Sequence, residues 1–264
     1  MAVPVKPALA STVILVRDGV PTGEPWQVFM VRRHVRSDFA ADVFVFPGGK
    51  VDPEDRDPAL QELLEGNPGP DGSETSATEW KALRLAAIRE LWEEAGVLLA
   101  RDTNGGVLDL MAERGAEFDR LRRQMHAGGT TMAEIAETKG LRYLGDALHP
   151  FSRWITPLPF PRRFDTWFYV AVMPPRQMPI HDRAETTEST WISPEEALHR
   201  YEDGTFPLVF ATEQHLRRMA QYASIEEMIA STEGADLRPV IPKPIERDGE
   251  QAFLLPGDPG YDEA

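Results

Sequence analysis

Three glutamates, Glu90, Glu93 and Glu94, stand at i, i+3 and i+4, so on a helix they share one face. A helix is expected there over Trp80 to Ala95. Leu83, Ala87, Leu91 and Ala95 recur four apart, with Ile88 and Trp92 beside them, which makes a broad apolar stripe. Gly96 follows as the natural left-handed stop. Carboxylates in the last turns oppose the helix dipole and repel one another, at roughly 0.2–0.5 kcal/mol per contact. A divalent cation removes that repulsion, and hard oxygen donors suit Mg²⁺ or Mn²⁺. Arg89 lies four residues before Glu93, in the order that adds little helix stability, which suits a role in orienting a carboxylate. A solvated acidic face has the same spacing, so the glutamates alone do not decide the matter. Pro47-Gly48-Gly49 adds to them: it ends a short apolar segment and lets bare backbone approach a metal or phosphate.

The surrounding elements must bring these two segments together. Strands are expected at Ser11 to Arg17, Trp26 to Val31 and Val43 to Phe46, the last running into the glycines. Residues 52–78 are rich in Asp, Glu, Pro and Gly and read as a surface loop insertion with one helical turn near Leu60 to Leu64. Val97-Leu98-Leu99 reads as a further strand. A helical insertion is expected over 107–140: one helix from Val107 to Met125, then a shorter one opened by the Thr131/Glu134 capping box and ending near Gly140. Strands return at Leu148 to Thr156, Phe164 to Met173 and Ser189 to Ile192. Helices follow from Ser193-Pro194, over Thr212 to Tyr222 and over Ser224 to Ala230. The extension 231–264 is Pro-rich, and Asp248-Gly249 between Pro244-Ile245-Glu246-Arg247 and Gln251-Ala252-Phe253-Leu254-Leu255 predicts a hairpin in it. The order is that of an α/β sandwich built on a mixed sheet.

The chain has 264 residues, with 28 Lys+Arg against 43 Asp+Glu, a formal charge of −15. That balance disfavours a nucleic-acid polymer as partner, although a bound cation and local arginines can still admit a small anionic ligand. There is no cysteine, which excludes thiolate catalysis, disulfides and cysteine-based zinc sites. No apolar run is long enough to span a membrane, and two prolines interrupt the N-terminal residues where a signal peptide would need an apolar stretch. The expected location is cytoplasmic.

Arg89-Glu90-Leu91-Trp92-Glu93-Glu94-Ala95-Gly96-Val97, with Phe46-Pro47-Gly48-Gly49-Lys50-Val51-Asp52 before it, resembles the Nudix box. The box departs from the ordinary form at Lys81, where a glutamate is usual, and in the length of the 52–78 insertion. Ala87-Ile88-Arg89-Glu90, Glu93 to Leu99, Trp154-Ile155-Thr156-Pro157 and Arg163-Phe164-Asp165-Thr166 resemble the expanded-box branch that contains acyl-coenzyme A diphosphatases. The likeness covers about residues 10–230. It implies an α/β/α sandwich and metal-dependent hydrolysis of a diphosphate linked to another group. It implies Glu90 and Glu94 as core metal ligands, Glu93 completing the cluster, and Gly48 contributing its carbonyl. It also allows a homodimer.

Outside the box, Asp182, Glu185 and Glu188 are candidates to orient the attacking water, in a loop before a strand. Among Arg32, Arg33, Arg36, Arg162 and Arg163, whose forked guanidinium groups suit phosphate oxygens, Arg163 is the preferred substrate contact, with Arg33, Gly48 and Gly49 as further ones. His34 and His181 are too isolated to act as ligands or bases. The expected substrate is coenzyme A or an acyl-coenzyme A. The alternatives are a nucleotide-sugar or dinucleotide diphosphate such as ADP-ribose or NADH, and a silent ligand-binding module.

Overall fold

The computed structural model describes residues 5–19, 23, 25–34, 42–66, 69, 75–158, 160–179, 186–247 and 249–263. Its centre is a seven-stranded mixed sheet. Strand β1 (Ala8–Asp18) runs parallel to β9 (Phe164–Val172) and antiparallel to β2 (Trp26–Arg33); β8 (His149–Ile155) and β10 (Thr186–Ile192) lie outside β9 and β2. The short strands β3 (Phe44–Val45) and β4 (Gly48–Lys50) pair with β2 and β1.

The long strands are apolar at nearly every position because both sheet faces are covered. Val13, Leu15, Phe29, Val31, Trp167 and Tyr169 point into one core, while Ile14, Val16, Val28, Met30, Phe168 and Val170 point into the other. Helix α2 (Ala77–Ala95) fills the first core. Trp80 meets Trp167 edge to face at 4.6 Å, and the buried Ser11 hydroxyl donates to the Leu83 carbonyl at 2.6 Å. Helices α5 (Pro194–Glu202), α6 (Phe210–Met219) and α7 (Ile225–Ala230) close the second. The result is the expected α/β/α sandwich.

Residues 52–78 are more than a surface loop. They hold a 3₁₀ turn (Glu54–Arg56), helix α1 (Pro58–Gln61) and strand β5 (Leu64–Glu65), which pairs with β7 (Arg142–Leu144). Leu60 and Gln61 are buried, and Asp55 is 0% exposed. The acid-rich composition concealed this, since one buried aspartate among many exposed acids leaves no mark on periodicity. Val97 to Leu99 is not a strand; the backbone of its central residue, Leu98, bonds the side chain of the buried Gln177. That side chain accepts from Leu98 N–H at 2.9 Å and donates to the Leu98 and Leu108 carbonyls at 3.0 Å each. The strand is the next pair, β6 (Ala100–Arg101), beside β7. Helix α3 (Ala112–His126) starts later than Val107, because Leu108 and Leu110 N–H donate to Ala100 and Arg176 carbonyls instead. Helix α4 (Met132–Lys139) carries both bonds of its capping box. Helix α3 packs onto α2, with Phe118 6.3 Å from Trp92, and α4 lies against α1 with Ile135 buried in the same core.

His215 of α6 is buried against Phe168, with ring centroids 4.0 Å apart. Nδ1 lies 2.6 Å from the Ala211 carbonyl, which can only accept, so Nδ1 carries the proton and Nε2 accepts from the Ser152 hydroxyl at 2.7 Å. Burial, with the nearby Arg218 charge adding to it and the Ala211 carbonyl opposing it, lowers the imidazole pKa from 6.5 to about 4. Between those values the unfolded chain binds a proton that the folded chain refuses. Fold stability is therefore present above pH 6.5 and is lost as pH falls towards 4, by about 3 kcal/mol from this group. Denaturant unfolding of the parent and of His215→Phe at pH 7.5 and 4.5 should give a smaller acid loss in the variant; equal losses would refute the assignment.

Candidate active site

The site forms where the end of α2 meets β4. Ser76 caps the helix start, its hydroxyl accepting from Glu79 N–H, and Gly96 ends it in the left-handed region at φ 70°. The glycine pair makes the close approach possible. A Cβ on Gly49 would lie 2.3 Å from Glu90 Oε1, and one on Gly48 would lie 2.5 Å from the Ser11 carbonyl. With no side chain there, Gly48 N–H donates to Glu94 Oε2 at 3.0 Å, and Glu90 lies against Gly49. The contact that Gly48 makes with the carboxylates is thus through its amide.

Arg89 organises the acidic group. Its Nη1 donates to Glu90 Oε1 and Glu93 Oε2 at 2.9 Å each, its Nε and Nη2 to the two oxygens of Asp55 at 3.1 and 3.0 Å, and its Nη2 to the Lys50 carbonyl at 2.9 Å. Burial alone would lower the Arg89 pKa, but the bond to Asp55 and the charges of Glu90, Asp55 and Glu93 more than reverse this, and the guanidinium stays charged. Asp55 is the partner that sequence spacing missed. It lies 34 residues from Arg89 along the chain and is its forked, fully buried counter-ion. Burial, helped by the charges of Glu93 and Asp55 and opposed by Arg89, pushes Glu90 up to about 7. Burial likewise raises Glu93, against the pull of Arg89.

The donor set fits a hard divalent cation in its chemistry: desolvated carboxylates outnumber the single guanidinium that serves them. Glu90, Glu94, Gly48, Gly49 and Asp52 line a cleft of about 1100 Å³, and Glu93, whose Oε2 accepts from Arg89, does not. Among the described residues no three acidic or imidazole side chains converge on one point. Glu90 and Glu93 share Arg89 instead.

Arg33 and Arg163 both line the cleft. Arg33 Nε is buried with no hydrogen-bond partner among the described residues. Arg163 is largely committed to backbone, its Nε donating to Thr156 O at 2.8 Å and its Nη1 to Val5 O at 2.9 Å. Arg162 also lines the cleft. Arg32 turns away to Asp42 and Glu188, at 2.9 and 3.4 Å. Glu188 therefore belongs to strand β10 and to an ion pair, not to a loop over the site. Asp182, Glu185, Arg36 and His181 lie outside the described residues.

The cleft floor crosses the sheet. Gly48 of β4 is opposite Thr12 of β1, Thr12 is opposite Phe168 of β9, and Trp154 of β8 is opposite Thr166. Beyond β8, Ile155 N–H donates to Val240 O at 2.9 Å and Val240 N–H to Arg153 O at 2.8 Å, so the C-terminal segment docks on the sheet edge. The expected hairpin follows as β11 (Lys243–Arg247) and β12 (Glu250–Leu254), and its Phe253 reaches the cleft.

Residues 70–219 match the family model described as the NUDT19 Nudix domain, and the chain belongs to that Nudix family. It is a Nudix hydrolase of the diphosphatase type. The chain is 28% identical to the Gallus gallus acyl-coenzyme A diphosphatase NUDT19 over 279 residues, covering 90% of this chain and 73% of that one. It is also 28% identical to the Homo sapiens protein of the same name over 285 residues, covering 91% and 74%. The crystal structure of a Nudix hydrolase from Alicyclobacillus acidocaldarius superposes with a TM-score of 0.73 at 26% identity, covering 89% of this chain and 99% of that one. No described helix is long and apolar enough to cross a membrane.

Proposed function

We propose that this protein hydrolyses the diphosphate of coenzyme A or an acyl-coenzyme A in a reaction that depends on Mg²⁺ or Mn²⁺. The observation that carries the reading is one continuous cleft, with Glu90 and Glu94 against the Gly48-Gly49 strand at one end and an apolar aromatic wall at the other. A substrate with a diphosphate and a long, partly apolar arm suits both ends, and the two NUDT19 relatives are named for such a substrate.

Glu90 and Glu94 would hold the cation, with Glu93 joining them on release from Arg89 and Gly48 O as a backbone donor. The bound ion would acidify water and offset charge on the leaving oxygen. The protein's own groups do the positioning. Arg89 sets the rotamers of Glu90 and Glu93. The guanidinium of Arg33, with the remaining donors of Arg163, would hold phosphoryl oxygens as negative charge grows on them. Gly48 and Gly49 keep the strand side open so that a phosphate can approach backbone. Water then attacks one phosphorus and the bridging oxygen departs with the other, giving adenosine 3′,5′-bisphosphate and a phosphopantetheine. A glutamate of the cluster takes the water proton.

The test is mass spectrometry of products from coenzyme A, an acyl-coenzyme A, ADP-ribose and NADH, each with and without Mg²⁺ or Mn²⁺. Metal-dependent cleavage of coenzyme A or its thioester to the two named products is expected. Cleavage of ADP-ribose or NADH while both coenzyme A substrates stay intact would move the assignment to the other diphosphate class. No metal-dependent turnover of any of the four would favour a binding module.

A further inference from the structure

The end of the cleft remote from the carboxylates is built by parts of the chain that the diphosphate chemistry does not need. Phe160 comes from the loop before β9, Phe210 from the first turn of α6 and Phe253 from the C-terminal hairpin. Phe253 lies 4.8 Å from Phe210 and 6.3 Å from Phe160 between ring centroids. Three strand spacings separate β4 from β8 across the cleft floor, which is about 14 Å.

Ring spacing decides what this wall can take. A base sandwiched between two phenyl rings needs their faces about 7–8 Å apart, two van der Waals contacts. Both Phe253 pairs are closer than that, so no base inserts between Phe253 and either neighbour, and the three rings together offer a hydrocarbon surface. The rim points the same way. Val5 is 51% exposed, Leu158 50% and Ile241 36%, and all three lie in or beside cleft-lining segments. Apolar side chains left in water around an aromatic wall mark a surface for an apolar ligand.

Resting on the coenzyme A reading above, we propose that Phe253 of the hairpin, with Phe160 and Phe210, forms the subsite for the hydrocarbon chain of an acyl thioester. The hairpin thereby makes long-chain acyl-coenzyme A a better substrate than free coenzyme A. The C-terminal extension is then a specificity element. It is carried to the cleft by the Val240 pairing at the sheet edge, and its end is held by Tyr261, whose hydroxyl donates to Ile241 O at 2.7 Å.

The experiment measures kcat/KM of the full-length protein for free, acetyl- and dodecanoyl-coenzyme A. Each buried methylene is worth up to about fourfold in binding, so a parent preference of at least about tenfold for dodecanoyl over free coenzyme A is expected. Phe253→Ala should lower that ratio by about tenfold, mainly through KM. Phe253→Leu, which keeps a hydrocarbon side chain and guards against a merely unfolded hairpin, should restore most of it. An unmoved ratio in Phe253→Ala, an equal loss on all three substrates, or a parent that cleaves free coenzyme A with no preference for chain length would overturn the subsite and leave the diphosphatase reading standing. Failure to cleave any coenzyme A species would overturn both.

Discussion

Glu94→Gln is expected to lower metal-dependent turnover by more than about a hundredfold while the fold persists. Glutamine matches glutamate in shape, and its carbonyl can still accept the Gly48 N–H that Glu94 Oε2 holds at 3.0 Å. What disappears is one negative charge and one hard oxygen donor at the wall of the cleft. Groups that only orient a ligand typically cost 10–100-fold when removed, and a ligand itself should cost more. Stability should change by less than about 1 kcal/mol, because the lost charge also repelled its neighbours. Magnesium titration of activity in parent and variant measures the effect, with a denaturant midpoint alongside. Full Mg²⁺-dependent turnover by the variant would remove Glu94 from the metal site.

Asp55→Ala is expected to have the largest effect on stability, with a loss of about 3 kcal/mol. The mutation leaves Arg89, only 6% exposed, without the carboxylate that accepts from both its Nε and its Nη2. Breaking a buried pair from one side costs roughly 3–5 kcal/mol. Here Glu90, Glu93 and the Lys50 carbonyl still receive the remaining donors, which sets the expected value at the lower end. Activity should fall by about tenfold as well, because an unanchored Arg89 no longer holds Glu90 in place. Asp55→Asn keeps an acceptor and should fall between parent and alanine in both measurements. A denaturant free energy for Asp55→Ala within 0.5 kcal/mol of the parent, measured at an unchanged m-value, would show that Glu90 and Glu93 suffice as partners.

These two predictions divide what could be read in the sequence from what could not. The helix that carries the glutamates was legible because its signals are local. The four-residue apolar recurrence, the Gly96 stop and the Arg89–Glu93 spacing all act within a few turns, and the helix formed with that end and that ion pair. It opened three residues earlier than periodicity suggested, at the Ser76 cap. Lys81 stands on this helix where the ordinary box has a glutamate, and it does not line the cleft.

Asp55 was hidden for the opposite reason. Its meaning depends on Arg89, 34 residues away, and on an insertion whose acidic composition looks solvated until β5 pairs with β7 and carries the segment onto the helix. Val97 to Leu99 was misread because apolar composition cannot say whether a backbone bonds to a neighbouring strand or to a buried glutamine.

By itself, then, the sequence determined the helix with its glutamates, the glycines opposite them, the α/β pattern and the family. Each of these is written in residue types at short spacing. Only the tertiary structure decided which carboxylate holds Arg89, which arginines line the cleft, and that a hairpin near the C-terminus supplies Phe253 to its far wall. Those are contacts between distant segments, and they arise from sheet order and register, which local spacing does not encode.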